Sequence, residues 1–132
     1  MGLLSAGIGL AFGATKNAPV IVDLHAHRGE IRAELLKHTP VGVSVKEVTD
    51  FVSKGLQLTV GNSAPTVEPV KDDPQGRVAK KIQVYLGQYY DHPEVVFFSM
   101  PLMMQREVTA KWLFDSHDRL VDIVVEKQNG VY

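Results

Sequence analysis

The sequence has no cysteine among its 132 residues, which excludes several kinds of site. Thiol nucleophiles, cysteine-ligated zinc, iron–sulfur clusters and disulfide frameworks all require cysteine. A basic surplus is missing too, because 14 Lys and Arg are balanced by 15 Asp and Glu. Since nucleic acids bind surfaces rich in Lys and Arg, we expect no nucleic-acid partner. We expect residues 1–132 to form a single domain, large enough to be stable without a metal or disulfide.

Long uncharged runs are also rare, and the longest is at the N-terminus. Residues 1–15, MGLLSAGIGLAFGAT, contain no charged side chain. As a helix they would span about 22 Å, less than the roughly 30 Å hydrocarbon core of a membrane, so we expect no spanning helix. Residues 11–14, AFGA, resemble the cleavage site of an export signal. Residues 1–15 are therefore either the remnant of an export signal, in a membrane-proximal N-terminus of a periplasmic or secreted protein, or a structural segment of a cytoplasmic one.

An amphipathic helix is predicted in the first third of the chain. Residues 27–37, HRGEIRAELLK, place Ile31 and Leu35 one turn apart among charged side chains. That spacing is typical of a helix with one face in the core. Pro40 ends the helix, because a proline disfavours helical backbone in the residue before it.

A second helix is predicted to begin at Ser44. Ser44 and Glu47 have the spacing of a capping box, in which each side chain accepts a hydrogen bond from the other residue's backbone. Gly55 stands where a left-handed cap would end the helix. The following segment, 59–77, is rich in proline and glycine and is predicted to be a long loop.

Alternation of apolar and polar residues predicts antiparallel strands in the second half of the chain, at residues 80–90, 95–98, 107–114 and 119–127. In the last of these, Val121, Ile123 and Val125 share one face. Asp122 either faces solvent or pairs with Lys111 across the hairpin. We therefore predict an α+β fold in which two or three N-terminal helices pack on one face of a C-terminal antiparallel sheet of three to four strands.

A pair of histidines follows the apolar segment at residues 20–24. His25 and His27 form an H-x-H motif that resembles the start of amidohydrolase-type and polymerase-and-histidinol-phosphatase-type metal enzymes. The resemblance implies that both imidazoles bind one metal ion. The other three histidines form no second ligand cluster in the sequence, which favours a surface pair without a metal. We predict no catalytic residues and no cofactor, since no paired carboxylates, nucleophile elbow or phosphate-binding loop stand out.

Aromatic and methionine side chains are concentrated between residues 85 and 104. These candidate partner-binding residues are Tyr85, Tyr89, Tyr90, Phe97, Phe98, Met100, Met103 and Met104. Tyrosine and methionine are enriched in protein interfaces, and methionine adapts to irregular surfaces. The alternative is that the same residues fill the core of the sheet.

Two short motifs resemble those of small bacterial envelope domains. The first is residues 39–48, TPVGVSVKEV, and the second combines WLFD at 112–115 with RLVDI at 119–123. They are similar to the turn, helix and hairpin of outer-membrane-assembly lipoproteins and β-lactamase-inhibitor-protein-like domains. This resemblance implies helices on an antiparallel sheet and a non-enzymatic, protein-binding role in the cell envelope. The chain departs from the lipoproteins because it has no cysteine to carry a lipid.

The favoured hypothesis is therefore a small interaction domain that binds a protein partner in the bacterial envelope. One alternative is a small ligand-binding or metal-binding enzyme domain that uses His25 and His27. A second alternative is a homo-oligomeric structural protein that self-associates through residues 1–15.

Overall fold

The computed structural model describes residues 19–58, 65–91, 96–97, 100–101 and 104–129. Two α-helices, α1 (Arg28–His38) and α2 (Val45–Asp50), precede a π-helical turn at Phe51–Gly55. The strands are β1 (Val67–Pro69), β2 (Lys80–Asp91), β3 (Val96–Phe97), β4 (Met100–Pro101), β5 (Met104–Phe114) and β6 (Leu120–Asn129).

Four of these strands form an antiparallel sheet in the order β1-β2-β5-β6. Strands β3 and β4 form a separate two-stranded pair. The predicted α+β class and an antiparallel sheet are confirmed. The strand predicted at residues 95–98 is not part of this sheet, because Val96–Phe97 pairs only with β4, and the fourth strand of the sheet is β1, in the segment predicted to be a loop. A further helix was expected only in residues 1–15, which lie outside the described residues.

Helix α1 follows the predicted amphipathic pattern. Ile31 and Leu35 are buried, and the charged residues between them are on the surface. At the start of the helix, the Glu30 carboxylate accepts a hydrogen bond of 3.4 Å from the His27 backbone N–H. At the end, the Thr39 N–H donates to the Leu35 carbonyl at 2.9 Å, before Pro40.

Helix α2 begins with the predicted capping box. Glu47 N–H donates to Ser44 Oγ at 3.2 Å, and Ser44 N–H donates to Glu47 Oε1 at 3.3 Å. The predicted left-handed cap at Gly55 is wrong, because its φ is not positive and the π-helical turn bonds Leu56 N–H to Phe51 O at 2.8 Å. A Cβ on Gly55 would lie 3.1 Å from Phe51 Cδ1, so the close approach of this ring explains the glycine.

The core joins both helices to one face of the sheet, here called the inner face. The buried residues of β2, β5 and β6 on this face belong to one hydrophobic cluster with those of α1, α2 and the π-helical turn. Trp112 and Phe114 of β5 are its largest side chains and are fully buried. The prediction that Val121 faces the core with Ile123 is wrong. A bulge after Leu113 shifts the register of β6, so that Leu120 is buried and Val121 only half-buried.

Part of the predicted loop at 59–77 forms an edge strand. Val67–Pro69 pairs with Lys80–Ile82 as strand β1, while residues 59–64 lie outside the described residues. Residues 70–79 then connect β1 to β2. Asp73 organises this connection, because its Oδ2 accepts hydrogen bonds from the N–H groups of Arg77 at 2.6 Å and Val78 at 2.9 Å.

Candidate functional site

The face of the sheet opposite the core, here called the outer face, is the strongest candidate site. The register of β1, β2, β5 and β6 brings together on it the residues Glu68, Lys81, Gln83, Tyr85, Gln88, Tyr90, Gln105, Glu107, Thr109, Lys111, Leu113, Asp122, Val124, Glu126 and Gln128. Most of these side chains are half-buried by their neighbours in the sheet. Among the described hydrophobic residues, Leu113 and Val124 neither belong to the core cluster nor pack against it.

The outer face has no basic surplus. Its two lysines, Lys81 and Lys111, are outnumbered by four acidic residues, which are Glu68, Glu107, Asp122 and Glu126. Lys111 Nζ lies 3.1 Å from Glu126 Oε1 within the sheet, with the two side chains 26% and 38% exposed. The remainder is tyrosine, glutamine, threonine and aliphatic side chains. Aromatic groups on a face without a basic surplus suit a protein surface better than a polyanion.

Tyr85 is near the middle of this face. Its hydroxyl donates to Gln88 Oε1 at 3.2 Å, and Gln105 Nε2 donates to the same oxygen. Burial, followed by the nearby negative charge of Glu107, raises the pKa of the Tyr85 phenol. The phenol is thus a neutral hydrogen-bonding group at neutral pH, already oriented by its neighbours.

The connection between β1 and β2 borders one end of the outer face. Residues 69–74 and Val78, together with Lys81 and Leu113 of the sheet, line a shallow cavity of about 380 Å³. Its walls combine proline and aliphatic side chains with Lys71, Asp72 and Asp73. The cavity therefore continues the mixed polar and apolar character of the face.

The structure separates the three predicted tyrosines. Tyr85 and Tyr90 lie on the outer face, where Tyr90 is 47% exposed. Tyr89 lies on the inner face, because a bulge between Tyr85 and Gly87 inserts one residue and reverses the alternation. Tyr89 packs against the core cluster instead of joining the other two.

Three of the remaining predicted partner-binding residues lie in strands that the structure describes. Phe97 is in β3, Met100 is in β4 and Met104 begins β5. Phe98 and Met103 lie outside the described residues. A role in partner binding stays a prediction for all five.

The two histidines of the H-x-H motif have different surroundings. His25 Nδ1 lies 3.7 Å from Asp23 Oδ1, and its ring lies 4.3 Å from the Tyr89 ring, centroid to centroid. His27 is the residue before α1. The described part of the chain contains no group of three or more His, Asp or Glu side chains that could bind a metal ion. The histidine arrangement therefore gives the metal-enzyme alternative no support.

A lysine on the inner face, which the sequence did not predict, lies beside the segment that carries these histidines. Lys127 Nζ donates to the carbonyls of Leu24 at 2.9 Å and Ala26 at 2.6 Å, and to Tyr89 Oη at 3.1 Å. An ammonium has three N–H donors, and this one has three acceptors. Alternation along β6 was the available signal, because Lys127 is two residues after the buried Val125 and therefore lies on the same, inner face. The group fixes the segment before α1 and is a structural tether.

A second missed contact joins α1 to the edge of the sheet. Arg32 Nη2 lies 2.5 Å from Asp122 Oδ1, and Arg32 Nε donates to the Ile123 carbonyl at 3.0 Å. Of the two alternatives predicted for Asp122, the pairing with Lys111 is therefore wrong, because Lys111 pairs with Glu126, and the Asp122 side chain is instead 42% exposed beside Arg32. The Asp122 carboxylate turns towards α1 at the edge of β6.

No family model, curated protein or solved structure matches the chain. None of the described helices is long and apolar enough to cross a membrane.

Proposed function

We propose that this protein is a small, non-enzymatic interaction domain that binds a protein partner through the outer face of its sheet. One observation carries the proposal: the outer face presents tyrosine, aliphatic and amide side chains without a basic surplus, outside the core cluster. Surfaces that combine tyrosine with aliphatic and polar side chains are typical of protein interfaces. The resemblance to small envelope domains and the apolar residues 1–15 favour a partner in the bacterial envelope.

The structure decides which substitutions test this proposal. Replacing Tyr89 would disturb the fold, because Tyr89 contacts His25 and Lys127 on the inner face. Thr109 is better suited, since it lies in the central strand β5 between Tyr85 and Glu126 on the outer face. An arginine there can extend into solvent, and would place a long charged side chain in the middle of the interface.

The experiment compares partner binding by the wild type, Thr109→Arg and a control, Val41→Arg. Val41 is 61% exposed in the turn between the two helices, so its substitution adds the same charge outside the residues of the outer face. The partner captured by the wild type is identified, purified and titrated against each variant by calorimetry. We expect at least a tenfold weaker Kd for Thr109→Arg, equal to about 1.4 kcal/mol, and no change for the control. Equal affinity of all three proteins would reject the outer face as the interface.

A further inference from the structure

One carboxylate in the middle of the outer face has no cationic partner. Glu107 lies in the inner strand β5, opposite Gln88 of β2 on one side and Gln128 of β6 on the other. Its side chain is half-buried. Within the described residues, no ion pair joins Glu107 to a lysine, arginine or histidine. The carboxylate therefore loses part of its hydration without the ion pair that usually compensates for this loss.

Other acidic residues of the outer face are compensated. Glu126 Oε1 lies 3.1 Å from Lys111 Nζ. Asp122 Oδ1 lies 2.5 Å from Arg32 Nη2. Glu107 therefore differs from these two residues, since its negative charge is left to attract a cation from outside the chain.

Two tyrosines flank this carboxylate. Along β5, Gln105 and Thr109 are the neighbours of Glu107 on the same face. Tyr90 is paired with Gln105, and Tyr85 is paired with Thr109. Both tyrosines are thus diagonal neighbours of Glu107, at a separation that aromatic and long side chains can span. After burial, the negative charge of Glu107 is the next largest cause of the raised pKa of the Tyr85 phenol, so the two side chains lie close together.

A guanidinium group matches both parts of this arrangement. Its parallel N–H groups can donate two hydrogen bonds to one carboxylate, and its flat face can stack on an aromatic ring. The face of a tyrosine ring also attracts a cation. A lysine ammonium is a compact point charge that lacks the planar group needed for both contacts. Arginine and tyrosine are, in addition, enriched among the residues that contribute most to binding at protein interfaces.

On the premise that the outer face is the binding surface, we propose that the partner places an arginine side chain between Tyr85 and Tyr90, with its guanidinium bound to the Glu107 carboxylate. The acidic surplus of the outer face is complementary to a basic surface on the partner. Tyr90 is 47% exposed, so an incoming side chain can reach its ring.

The test uses two short peptides as probes. One is an acetylated and amidated Gly-Arg-Gly peptide, and the other replaces its arginine by citrulline, which has the same shape but no charge. Each is titrated into the full ¹⁵N-labelled chain and followed by NMR. We expect the arginine peptide to give saturable shifts at the amides around Glu107, and the citrulline peptide to bind at least tenfold more weakly.

Two variants locate the binding of the arginine peptide. Glu107→Gln removes the charge and keeps the size of the side chain, and we expect at least fivefold weaker binding. Glu68→Gln is the matched control, because it removes the same charge from the same face. Glu68 is exposed in β1 and lies opposite Lys81, outside the pair of tyrosines, so its substitution should change the affinity less than twofold.

Equal binding of the arginine and citrulline peptides, or an unchanged affinity of Glu107→Gln, would overturn the proposal. Titration of the purified partner separates it from the proposed function. If Thr109→Arg weakens partner binding and Glu107→Gln does not, the outer face is the interface but the arginine contact is wrong. If neither variant weakens partner binding, the interface itself is rejected and the arginine contact with it.

Discussion

At the scale of single residues, Thr39 connects the end of α1 to the centre of the sheet. Trp112 Nε1 donates to Thr39 Oγ1 at 3.0 Å, and the Thr39 hydroxyl donates to the Leu35 carbonyl at 2.9 Å. Both side chains are fully buried. A buried indole N–H needs an acceptor, and here the acceptor comes from a residue 73 positions away in the sequence.

We predict that Thr39→Val lowers the free energy of unfolding by about 1–3 kcal/mol, because it leaves the indole N–H buried without its acceptor. Valine has nearly the same shape as threonine, so the loss reports the hydrogen bonds and not a cavity. Urea unfolding followed by tryptophan fluorescence measures the change, since Trp112 is the single tryptophan of the chain.

Thr39→Ser is the control, since it retains the hydroxyl and should lose less stability than Thr39→Val. A double-mutant cycle with Trp112→Phe, followed by circular dichroism, isolates the contact. We expect the two losses to be less than additive by about 0.5 kcal/mol or more, as for residues in direct contact. Additive losses would mean that the indole and the hydroxyl do not stabilise one another.

At the scale of elements, the segment before α1 is fixed by contacts at both of its ends. Val20 forms a parallel bridge with Leu56, with Val20 N–H bonded to the Gly55 carbonyl at 2.7 Å. Lys127 holds the other end through the carbonyls of Leu24 and Ala26. The segment is therefore a structural part of the domain, although it contains no helix and only a single β-bridge.

We predict that Lys127→Met destabilises the protein by about 1–3 kcal/mol, because hydrogen bonds from a charged donor to two carbonyls and to Tyr89 Oη are lost. Chemical unfolding measures the loss. Hydrogen exchange should also become faster at Ala26 N–H, which bonds to the Asp23 carbonyl at 3.1 Å within the tethered segment.

Lys37→Met provides the comparison for this substitution. Lys37 is 71% exposed and pairs with Glu34 on the surface of α1, so its replacement should change stability by less than about 0.5 kcal/mol. If Lys127→Met were equally neutral, the three hydrogen bonds of Lys127 would not hold the segment in solution.

Elements with local causes could be predicted from the sequence. The capping box at Ser44, the amphipathic pattern of α1 and the hairpin of β5 and β6 each depend on residues close together in the chain. The contacts of Arg32 with Asp122 and of Lys127 with Leu24 join residues 90 and 103 positions apart, so no local pattern encodes them.

The candidate site could be predicted only in part, for a similar reason. Simple alternation places Tyr85 and Tyr89 on the same face, because they are four residues apart. The bulge before Gly87 reverses this relation and leaves Tyr85 with Tyr90. Gly87 has a φ of 142°, which favours glycine, but its presence alone does not say where the extra residue is inserted.

At the scale of the whole molecule, the two faces of the sheet have different surroundings. The inner face supplies the core, and the proposed binding surface lies on the outer face. Two acidic side chains hold the loops at the ends of the sheet. Asp73 organises the connection that borders the cavity, and Asp115 Oδ1 accepts from the N–H groups of His117 at 2.8 Å and Arg119 at 3.0 Å in the β5–β6 turn.

These backbone hydrogen bonds make the stability of the whole molecule depend on pH. Those from Val78 and from Arg119 are the largest influences that lower the pKa of Asp73 and Asp115, respectively, below the usual value of 3.8. A carboxyl whose pKa is lower in the folded state stabilises the fold above its unfolded pKa. That stabilisation is lost as the pH falls below 3.8 and through the lower folded values.

We predict that Asp73→Asn/Asp115→Asn is less stable than the wild type at neutral pH and that the two proteins converge in acid. Urea midpoints measured between about pH 5 and pH 2 should therefore decline less steeply for the variant. Glu34→Gln is the comparison, since a hydrogen bond from Lys37 and then its charge lower the pKa of Glu34. About 1 M salt should weaken the Glu34 contribution by screening more than the contributions of the two aspartates, since backbone N–H groups are the largest cause of their lower pKa values. Parallel curves for the wild type and the double variant would show that the two aspartates do not control the acid sensitivity of the fold.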